Sequence, residues 1–376
     1  MRALKLRWIL PIICVLILGH GILAGGADYL SVTGPCNLNF PDDHGAHPGY
    51  RVEWWYYTGN LGAFSGDRFG FQLTFFRVQP DPPGVDRSWP ERASAWRTQQ
   101  LYLAHAAVSD LTRSRFYYDE RIARGAVGLA GTEQSPTATR IFVGNWSAQL
   151  SATRHQLKGG STRFALDLTS SPAKPPVLHG DRGYSRKGDR PEEASCYYSF
   201  TRLETTGTLI VEGKAYPVQG PSWMDHEFST APLAKDILGW DWFSIQLSNN
   251  MELMVYLLRQ DQGGYHPASS GTLVSPSGRA RHLTKDDFAV TILDRWKSRQ
   301  TGALYPSRWR LQIGPDDIDL QLKSNLGDQE LITERTIRIV YWEGSVSVSG
   351  SVAGEGVEGV GYVEMTGYAV PFTPLK

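Results

Sequence analysis

The segment from residue 220 to residue 259 places ionisable side chains among large aromatic ones. Asp225, His226 and Glu227 are consecutive, and Trp223 stands two residues before Asp225. On an extended backbone, Asp225 and Glu227 point to one face of the strand and His226 points to the other. An acid among aromatic rings loses hydration, so its pKa rises and it can act as a general acid near neutral pH. With the ring of Trp223 stabilising a developing cation, the pattern predicts addition of water to an apolar alkene, in which protonation of carbon is the difficult step.

Further aromatic residues extend this segment into a candidate ligand pocket. They are Trp54 and Tyr56 in the first half of the chain and Trp240 and Trp242 in the second, with Asp241 between the last two. Small-molecule sites are mostly apolar and carry few fixed polar groups, so these side chains are predicted to line the pocket. The alternative assigns no chemistry to the segment: His226 then satisfies a backbone carbonyl and the acids pair with arginine.

Motifs for other kinds of chemistry are missing from the sequence. No G-x-S-x-G or H-E-x-x-H string occurs, and no glycine-rich loop follows a strand and opens a helix. His44 and His47 have a spacing compatible with a metal, but Pro48 and the turn-rich surroundings leave no third ligand nearby. Cys36 and Cys196 each lack a neighbouring histidine that could activate a thiol. We therefore expect no metal and no cofactor.

An acid-aromatic motif recurs in two hairpins, which must position these groups. Glu53 opens a strand that is followed by a second strand ending at Arg77, and Asp241 and Arg259 repeat this arrangement. If the hairpin loops hold an odd number of residues, acid and arginine share a face and form a charge-assisted pair. If Asn249-Asn250 is instead a two-residue loop, Arg259 faces a neighbouring indole and stacks on it. Either way, the prediction for Glu53, Arg77 and Arg259 is structural: they close one end of each barrel.

Composition predicts the fold class that would carry these hairpins. The chain has 376 residues, enough for two domains, with 39 glycines, 22 prolines and 11% aromatic residues distributed among short apolar runs. Repeated strands joined by tight turns are typical of an all-β protein of antiparallel barrels. Lys and Arg balance Asp and Glu at 38 each. With neither net charge nor a basic block, we expect no nucleic-acid partner.

Residues 1–27 are predicted to be a signal peptide, with a basic start, an apolar run and small residues at the end. The protein is therefore expected to be secreted or periplasmic, with peripheral or no membrane contact. In such an oxidising compartment Cys36 and Cys196 could form one disulfide. Because sequence alone does not bring them together, we expect two free buried thiols, with the disulfide as the alternative.

Several strings, in order along the chain, resemble the hydroxyneurosporene synthase (carotenoid 1,2-hydratase) family, which includes secreted, lipocalin-like proteins called AttH-like. They are HPGYRVEWWYYTGNL, FGFQLTFFR, HGDRGYSRKG, SCYYSFTRL, SWMDHEF and GWDWFSIQL. The resemblance implies two tandem lipocalin-like (calycin) antiparallel β-barrels, which we place at residues 28–222 and 223–376. It also implies a lipophilic ligand, and it makes components of an ABC transporter candidate partners. Asp225 and Trp223, in SWMDHEF, are the positions to which a hydratase role would carry over.

Three functional hypotheses follow. The leading one is an exported, lipocalin-like protein that binds or carries a lipid or isoprenoid. The second is a cofactor-free enzyme, either a hydro-lyase of the carotenoid 1,2-hydratase type or a lipid hydrolase, with Asp225 as general acid. The third is a transporter-associated periplasmic scaffold whose barrels are filled by their own side chains.

Overall fold

Antiparallel strands make up most of the protein, in a computed structural model that describes residues 28–84, 94–231, 233–234, 236–336 and 338–372. The predicted signal peptide lies outside the described residues. The predicted all-β, lipocalin-like fold is confirmed: the described strands form two curved antiparallel sheets, of which one nearly closes into a barrel and the other is a half-barrel.

The first sheet consists of β1 (Val52–Ala63), β2 (Arg68–Val78), β3 (Leu101–Asp110), β4 (Arg115–Arg124), β5 (Ala130–Gln134), β6 (Ala138–Val143), β7 (Trp146–Ser151), β8 (His155–Gly160), β9 (Phe164–Pro172), β10 (Val177–Leu178), β11 (Tyr184–Arg186), β12 (Ala194–Val211) and β13 (Lys214–Ser229). The second consists of β14 (Ile237–Leu247), β15 (Glu252–Gln260), β16 (Ser270–Val274), β17 (Ala280–Leu283), β18 (Phe288–Lys297), β19 (Leu304–Ile313), β20 (Ile318–Ser324), β21 (Glu330–Ile332), β22 (Val340–Val352) and β23 (Glu355–Thr366). Short 3-10 helices span Asp42–His44, Lys285–Asp287 and Gly314–Asp316. No helix in the described ranges has the length and apolarity needed to span a bilayer.

Each sheet has its own apolar core, and a third core lies where the two sheets meet. Alternation along β1 explains this division, because successive side chains of a strand point to opposite faces. Trp55 and Tyr57 point into the core of the first sheet, whereas Trp54 and Tyr56 point to the core between the sheets. Both faces of β1 are therefore packed, and its second face forms part of the junction.

Ion pairs fix the two sheets relative to each other. The carboxylate of Glu252, on β15, is fully buried and lies 2.8 Å from Lys174 Nζ and 2.5 Å from Arg202 Nε. Lys174 follows β9, and Arg202 lies in β12, so both cations come from the first half of the chain. Moving one sheet relative to the other would separate these ion pairs, and leaving the buried carboxylate unpaired is costly.

The change from one sheet to the other does not fall between residues 222 and 223, where the domain boundary was predicted. β13 crosses that point without a break and pairs with both β1 and β12, with Tyr57 opposite Met224 and Trp54 opposite Glu227. A strand paired on both sides over this length belongs to one sheet. The SWMDHEF segment is therefore part of the first sheet, and the change of sheet comes after Ser229.

The first of the two acid-arginine hairpins has a three-residue loop. The backbone N–H of Ala63 donates to the carbonyl of Asp67 over 2.8 Å, which closes the loop around residues 64–66. This register sets Glu53 opposite Arg77, and Arg77 Nε lies 2.7 Å from Glu53 Oε2. The predicted pair is therefore present.

The second hairpin also has an odd loop. The backbone N–H of Leu247 donates to the carbonyl of Met251 over 2.9 Å, so residues 248–250 form the turn. Asp241 and Arg259 are diagonal neighbours on one face, with 3.0 Å between Arg259 Nε and Asp241 Oδ1. The guanidinium stacks 3.8 Å from the ring centre of Tyr368. The alternative of a two-residue loop with arginine on an indole is wrong.

Cys36 and Cys196 form a disulfide, with their Cα atoms 5.9 Å apart. The expectation of two free thiols is therefore wrong. The reason is tertiary: β11 pairs with β12, which carries Cys196, and the backbone N–H of Cys36 donates to the carbonyl of Arg182 just before β11. The disulfide ties the lead-in segment to the strand next to β13.

Candidate functional site

A cavity of about 250 Å³ lies at the junction of the two sheets. Its walls are mostly apolar, and several acidic residues are among those that line it. The lining side chains that bear on its chemistry are Trp54 and Tyr56 of β1, Tyr197 of β12, Asp225 and Glu227 of β13, Trp240 and Trp242 of β14, Tyr256 of β15, Glu343 of β22 and Glu364 of β23, with Lys187 from the segment after β11.

Strand register explains why these residues meet. In each sheet, directly opposed residues of neighbouring strands form a row of side chains on one face. One row crosses the first sheet as Ser199, Asp225 and Tyr56, and another crosses the second sheet as Trp242, Glu364 and Glu343. Hydrogen bonds between the rows join them: Tyr56 donates to Glu343, and Trp242 Nε1 donates to the hydroxyl of Tyr197 over 3.0 Å.

Asp225 is 4% exposed and accepts three hydrogen bonds. Oδ1 accepts one from Trp223 Nε1 at 2.6 Å and one from the hydroxyl of Ser199, and Oδ2 accepts one from the hydroxyl of Tyr197 at 2.7 Å. An indole N–H can only donate. Because Trp242 donates to Tyr197, the hydroxyl proton of Tyr197 is left for Asp225. The surroundings of Asp225 are thus arranged to receive an ionised carboxylate.

Burial acts in the opposite direction on Asp225. Desolvation raises its pKa to about 7, against the three hydrogen bonds, which lower it, and with a small further rise from the charge of Glu227. The predicted rise in pKa of an acid among aromatic rings is thus present in the structure. The balance leaves Asp225 able to exchange a proton near neutral pH.

Glu227 lies beside Asp225 on the same face of β13, as predicted, but it belongs to an ion pair. Its Oε1 is 3.1 Å from Lys187 Nζ and also accepts a hydrogen bond from Ser195. The ammonium of Lys187 stands 3.9 Å from the ring centre of Tyr256. Burial lowers the pKa of Lys187, but Glu227 and Tyr256 outweigh it and raise the pKa. The cavity therefore carries one fixed ion pair on the side of β11.

Glu343 and Glu364 face the cavity from the second sheet, and sequence reasoning missed both. They are directly opposed on β22 and β23. Burial, then the charge of Glu364, raises the pKa of Glu343 well above its usual value. Burial also raises the pKa of Glu364 to about 7, although Trp240 Nε1 donates to it over 3.2 Å. Each of the two glutamates interrupts an apolar strand, in VYWEGSV and GYVEMTG. A single acid within an apolar strand is the sequence pattern by which they could have been found.

His226 points away from the cavity into the core of the first sheet, as alternation along the strand predicts. Its Nε2 is 2.8 Å from Glu53 Oε1, and its Nδ1 is 2.9 Å from the hydroxyl of Tyr198. Burial lowers the pKa of His226 in spite of the hydrogen bond to Glu53, which raises it. Its assignment to the catalytic group is therefore not supported by its position, and its contacts fit a structural role.

The cluster His47, Glu53 and His226 has ligand atoms within 4.8 Å of one another, which is a metal-compatible set. Every one of those atoms is already in a hydrogen bond. Glu53 Oε1 accepts from His47 Nδ1 at 2.7 Å and from His226, while Oε2 accepts from Arg77. Burial lowers the pKa of His47, but hydrogen bonds to Asp43 and Glu53 raise it to about 9. With a guanidinium on the same carboxylate, the set fits a charge cluster better than a metal site.

Two other predicted site residues lie elsewhere. Asp241 does not line the cavity. The side chains of Trp240 and Trp242 lie on the face of β14 that points to the cavity, so the side chain of Asp241, between them, points to the opposite face. Trp223 is 1% exposed and also stands behind the cavity wall, where it binds Asp225. Its ring therefore supports Asp225, and the rings that line the cavity and can contact a bound cation include those of Trp54, Tyr56, Trp240 and Trp242.

Fold and site together define a two-sheet, lipocalin-like β-protein with an acid-lined apolar cavity at the junction of its sheets. The family model described as AttH-like matches residues 31–368, and the chain belongs to this family. This match confirms the resemblance seen in the sequence motifs.

Similar proteins include one of known activity. Over 160 residues, the chain is 28% identical to a kievitone hydratase of Fusarium solani subsp. phaseoli, which covers 40% of this chain and 41% of that protein. The sequence match thus spans less than half of this curated relative. A crystal structure of a Nitrosomonas europaea protein assigned to AttH has a TM-score of 0.78 and 33% identity, covering 90% of this chain and 99% of that one. The crystal structure of kievitone hydratase from Nectria haematococca has a TM-score of 0.67 and 15% identity, covering 92% and 97%, and shows similarity of fold.

Proposed function

We propose that this protein is a cofactor-free hydratase that adds water to an apolar, branched alkene in the junction cavity. The observation that carries the proposal is Asp225, a buried carboxyl with a pKa of about 7 on the wall of an aromatic cavity. The family match and the similarity to a kievitone hydratase support the same reaction class.

Hydration of an alkene needs a proton for carbon, stabilisation of the resulting cation, and a base for the attacking water. The aromatic rings of the cavity favour a cation. The three donors around Asp225 favour its ionised form, so we revise the role predicted for it. We assign Asp225 as the carboxylate that stabilises the cation and accepts the proton of water. A carboxylate has about four lone-pair sites, and three are used by Ser199, Trp223 and Tyr197, which leaves one for the water.

The size of the cavity limits the substrate. A protein cavity of roughly 150 Å³ holds benzene, so one of about 250 Å³ encloses a small branched alkene or the end of a longer isoprenoid. A whole carotenoid would extend outside it. We therefore propose a terminal isoprenoid double bond as the reacting group, with the rest of the substrate leaving through the opening of the cavity.

The rate of hydration is expected to rise with pH and level off near pH 7. A base with a pKa of about 7 is protonated and inactive below that value, so the rate should fall about tenfold per pH unit on the acid side. Had Asp225 been the acid, the rate would instead fall above pH 7. Steady-state rates between pH 5 and pH 8.5 distinguish the two assignments. Glu364 has a similar pKa and could produce the same pH dependence. Glu364→Gln is therefore the control, and the fall in rate below pH 7 should persist in it.

The direct test of the function is turnover. The purified protein is incubated with kievitone and with simple isoprenoid alkenes in ¹⁸O-labelled water, and products are analysed by mass spectrometry. We expect an alcohol carrying one labelled oxygen. If none of these compounds gains water while they bind the cavity, the hydratase proposal is wrong.

A carrier for a lipophilic molecule is the second candidate, favoured by the mostly apolar cavity wall. A carrier would bind the same compounds unchanged, and its affinity would fall when Trp54 or Trp242 is truncated. Export, contact with ABC transporter components and the carotenoid as a particular substrate remain proposals that rest on the sequence.

A further inference from the structure

We propose that Glu343 is the proton donor of this reaction, acting from the opposite wall of the cavity to Asp225. The inference rests on the proposed hydratase function and deepens it. It divides the chemistry between the two sheets: the second sheet supplies the acid, and the first sheet supplies the base. Neither sheet alone would hold a complete site.

Glu343 lines the cavity and has one oxygen without a hydrogen-bond partner. Its side chain is 1% exposed, and Oε1 accepts a hydrogen bond from the hydroxyl of Tyr56. Oε2 is buried and has no hydrogen-bond partner among the described residues. A buried carboxylate oxygen without a donor is costly, whereas a protonated one is a donor that still lacks an acceptor. The electron pair of an alkene in the cavity can be that acceptor.

Glu343 has an acidic neighbour. Glu364 stands directly opposite it on the neighbouring strand, and like charges in this position repel. Three cations line the cavity, Arg51, Arg77 and Lys187, of which Lys187 is held by Glu227 and Arg77 by Glu53. Burial and the neighbouring acids raise the pKa of Glu343 well above its usual range, which favours its protonated form.

Asp225 and Glu343 line the same cavity from different sheets. Tyr56 is the cross-strand neighbour of Asp225, while its hydroxyl reaches Glu343. Tyr56 therefore links the strand pair that carries the base to the side chain of the acid. A cavity lined by two carboxyls can hold a substrate and a water between acid and base, as in enzymes that place two carboxyls on either side of a reacting bond.

The π electrons of the alkene take the proton from Glu343 Oε2, and the O–H electron pair stays on the carboxylate. The adjacent carbon becomes a cation next to the aromatic rings. A lone pair of water forms the C–O bond, and the proton released from that water passes to Asp225. The alcohol leaves, and exchange with solvent returns a proton to Glu343 and removes one from Asp225. The net reaction is alkene plus water to alcohol.

The test combines a spectrum of the free protein with turnover of the isoprenoid panel. Infrared difference spectra of wild type with and without ¹³C-glutamate are expected to show a protonated glutamic acid band at pH 7, without any variant being needed. Glu343→Gln should remove that band and lower the hydration rate by about 10²–10⁴-fold, the range for loss of a general acid, while a saturated analogue still binds. Glu358→Gln, on the exposed face of β23, is the matched control and should behave as wild type. If Glu343→Gln does not fold, Glu364→Gln is used to assign the band. This variant leaves Glu343 in place, so the band should persist in it.

The outcomes separate the two proposals. Wild-type hydration that survives in Glu343→Gln but not in Asp225→Asn overturns the donor assignment and leaves the hydratase standing. A wild-type protein without a protonated glutamic acid band at pH 7 also overturns it. Lack of hydration by wild type rejects the proposed function, and the donor assignment with it, even if the spectrum shows a neutral glutamic acid.

Discussion

Replacing Asp225 by Asn is expected to lower the hydration rate by about 10²–10⁴-fold, the usual contribution of a general base. The amide has the same shape but cannot accept the proton of water. Trp223 and Tyr197 each donate to a different oxygen of Asp225. In either orientation of the amide, the NH₂ group of the asparagine would therefore face one of these donors. Binding of a saturated analogue should change little, since the aromatic walls remain. Steady-state kinetics and isothermal titration with that analogue measure the two effects separately.

Asp241→Asn is the matched control for this variant. Asp241 is also a buried aspartate in a strand next to the junction, but it binds Arg259 and Tyr368 and lies outside the cavity. The control should therefore lose stability and keep its turnover rate per folded molecule. Should Asp225→Asn keep wild-type turnover, Asp225 would have no part in the chemistry and its hydrogen bonds would be purely structural.

Local patterns in the sequence predicted the strands, the hairpins and the orientation of the central motif. Alternation alone placed Asp225 and Glu227 on one face and His226 on the other, and the structure has them so. The Glu53–Arg77 pair followed in the same way, because counting residues around a tight turn fixes which side chains oppose each other. The same alternation, applied to β14, would also have excluded Asp241 from the pocket.

Residues that meet only through tertiary structure were not predictable in this way. Glu343 is 118 positions from Asp225 in the sequence, and their approach depends on the packing of one sheet against the other. The disulfide has the same origin, with 160 positions between Cys36 and Cys196. The sheet to which the SWMDHEF motif belongs has the same origin: the predicted division assigns the motif to the second half of the chain, whereas the pairing of β13 with β1 assigns it to the first sheet.

Replacing Arg77 by Met is expected to destabilise the protein by about 3–5 kcal/mol, the cost of leaving a buried charge without its partner. Arg77 and Glu53 are both fully buried. The guanidinium also donates to the backbone carbonyls of His47 at 2.7 Å and Tyr50 at 2.9 Å, so its loss leaves two further acceptors without this donor. Against a typical total stability of about 5–15 kcal/mol, a loss of this size is severe. Urea unfolding followed by tryptophan fluorescence measures it.

Arg310→Met provides the matched comparison, since it removes the same group from an exposed pair. Arg310 Nε lies 2.9 Å from Asp319 Oδ1, but the two side chains are 46% and 38% exposed. Solvent screens such a pair, so its loss should lower the free energy of unfolding far less than the loss of Arg77 does. Similar small losses in both variants would mean that the Glu53 cluster tolerates an unpaired charge. In that case the two histidines on Glu53, rather than Arg77, would hold the carboxylate at the end of the first barrel.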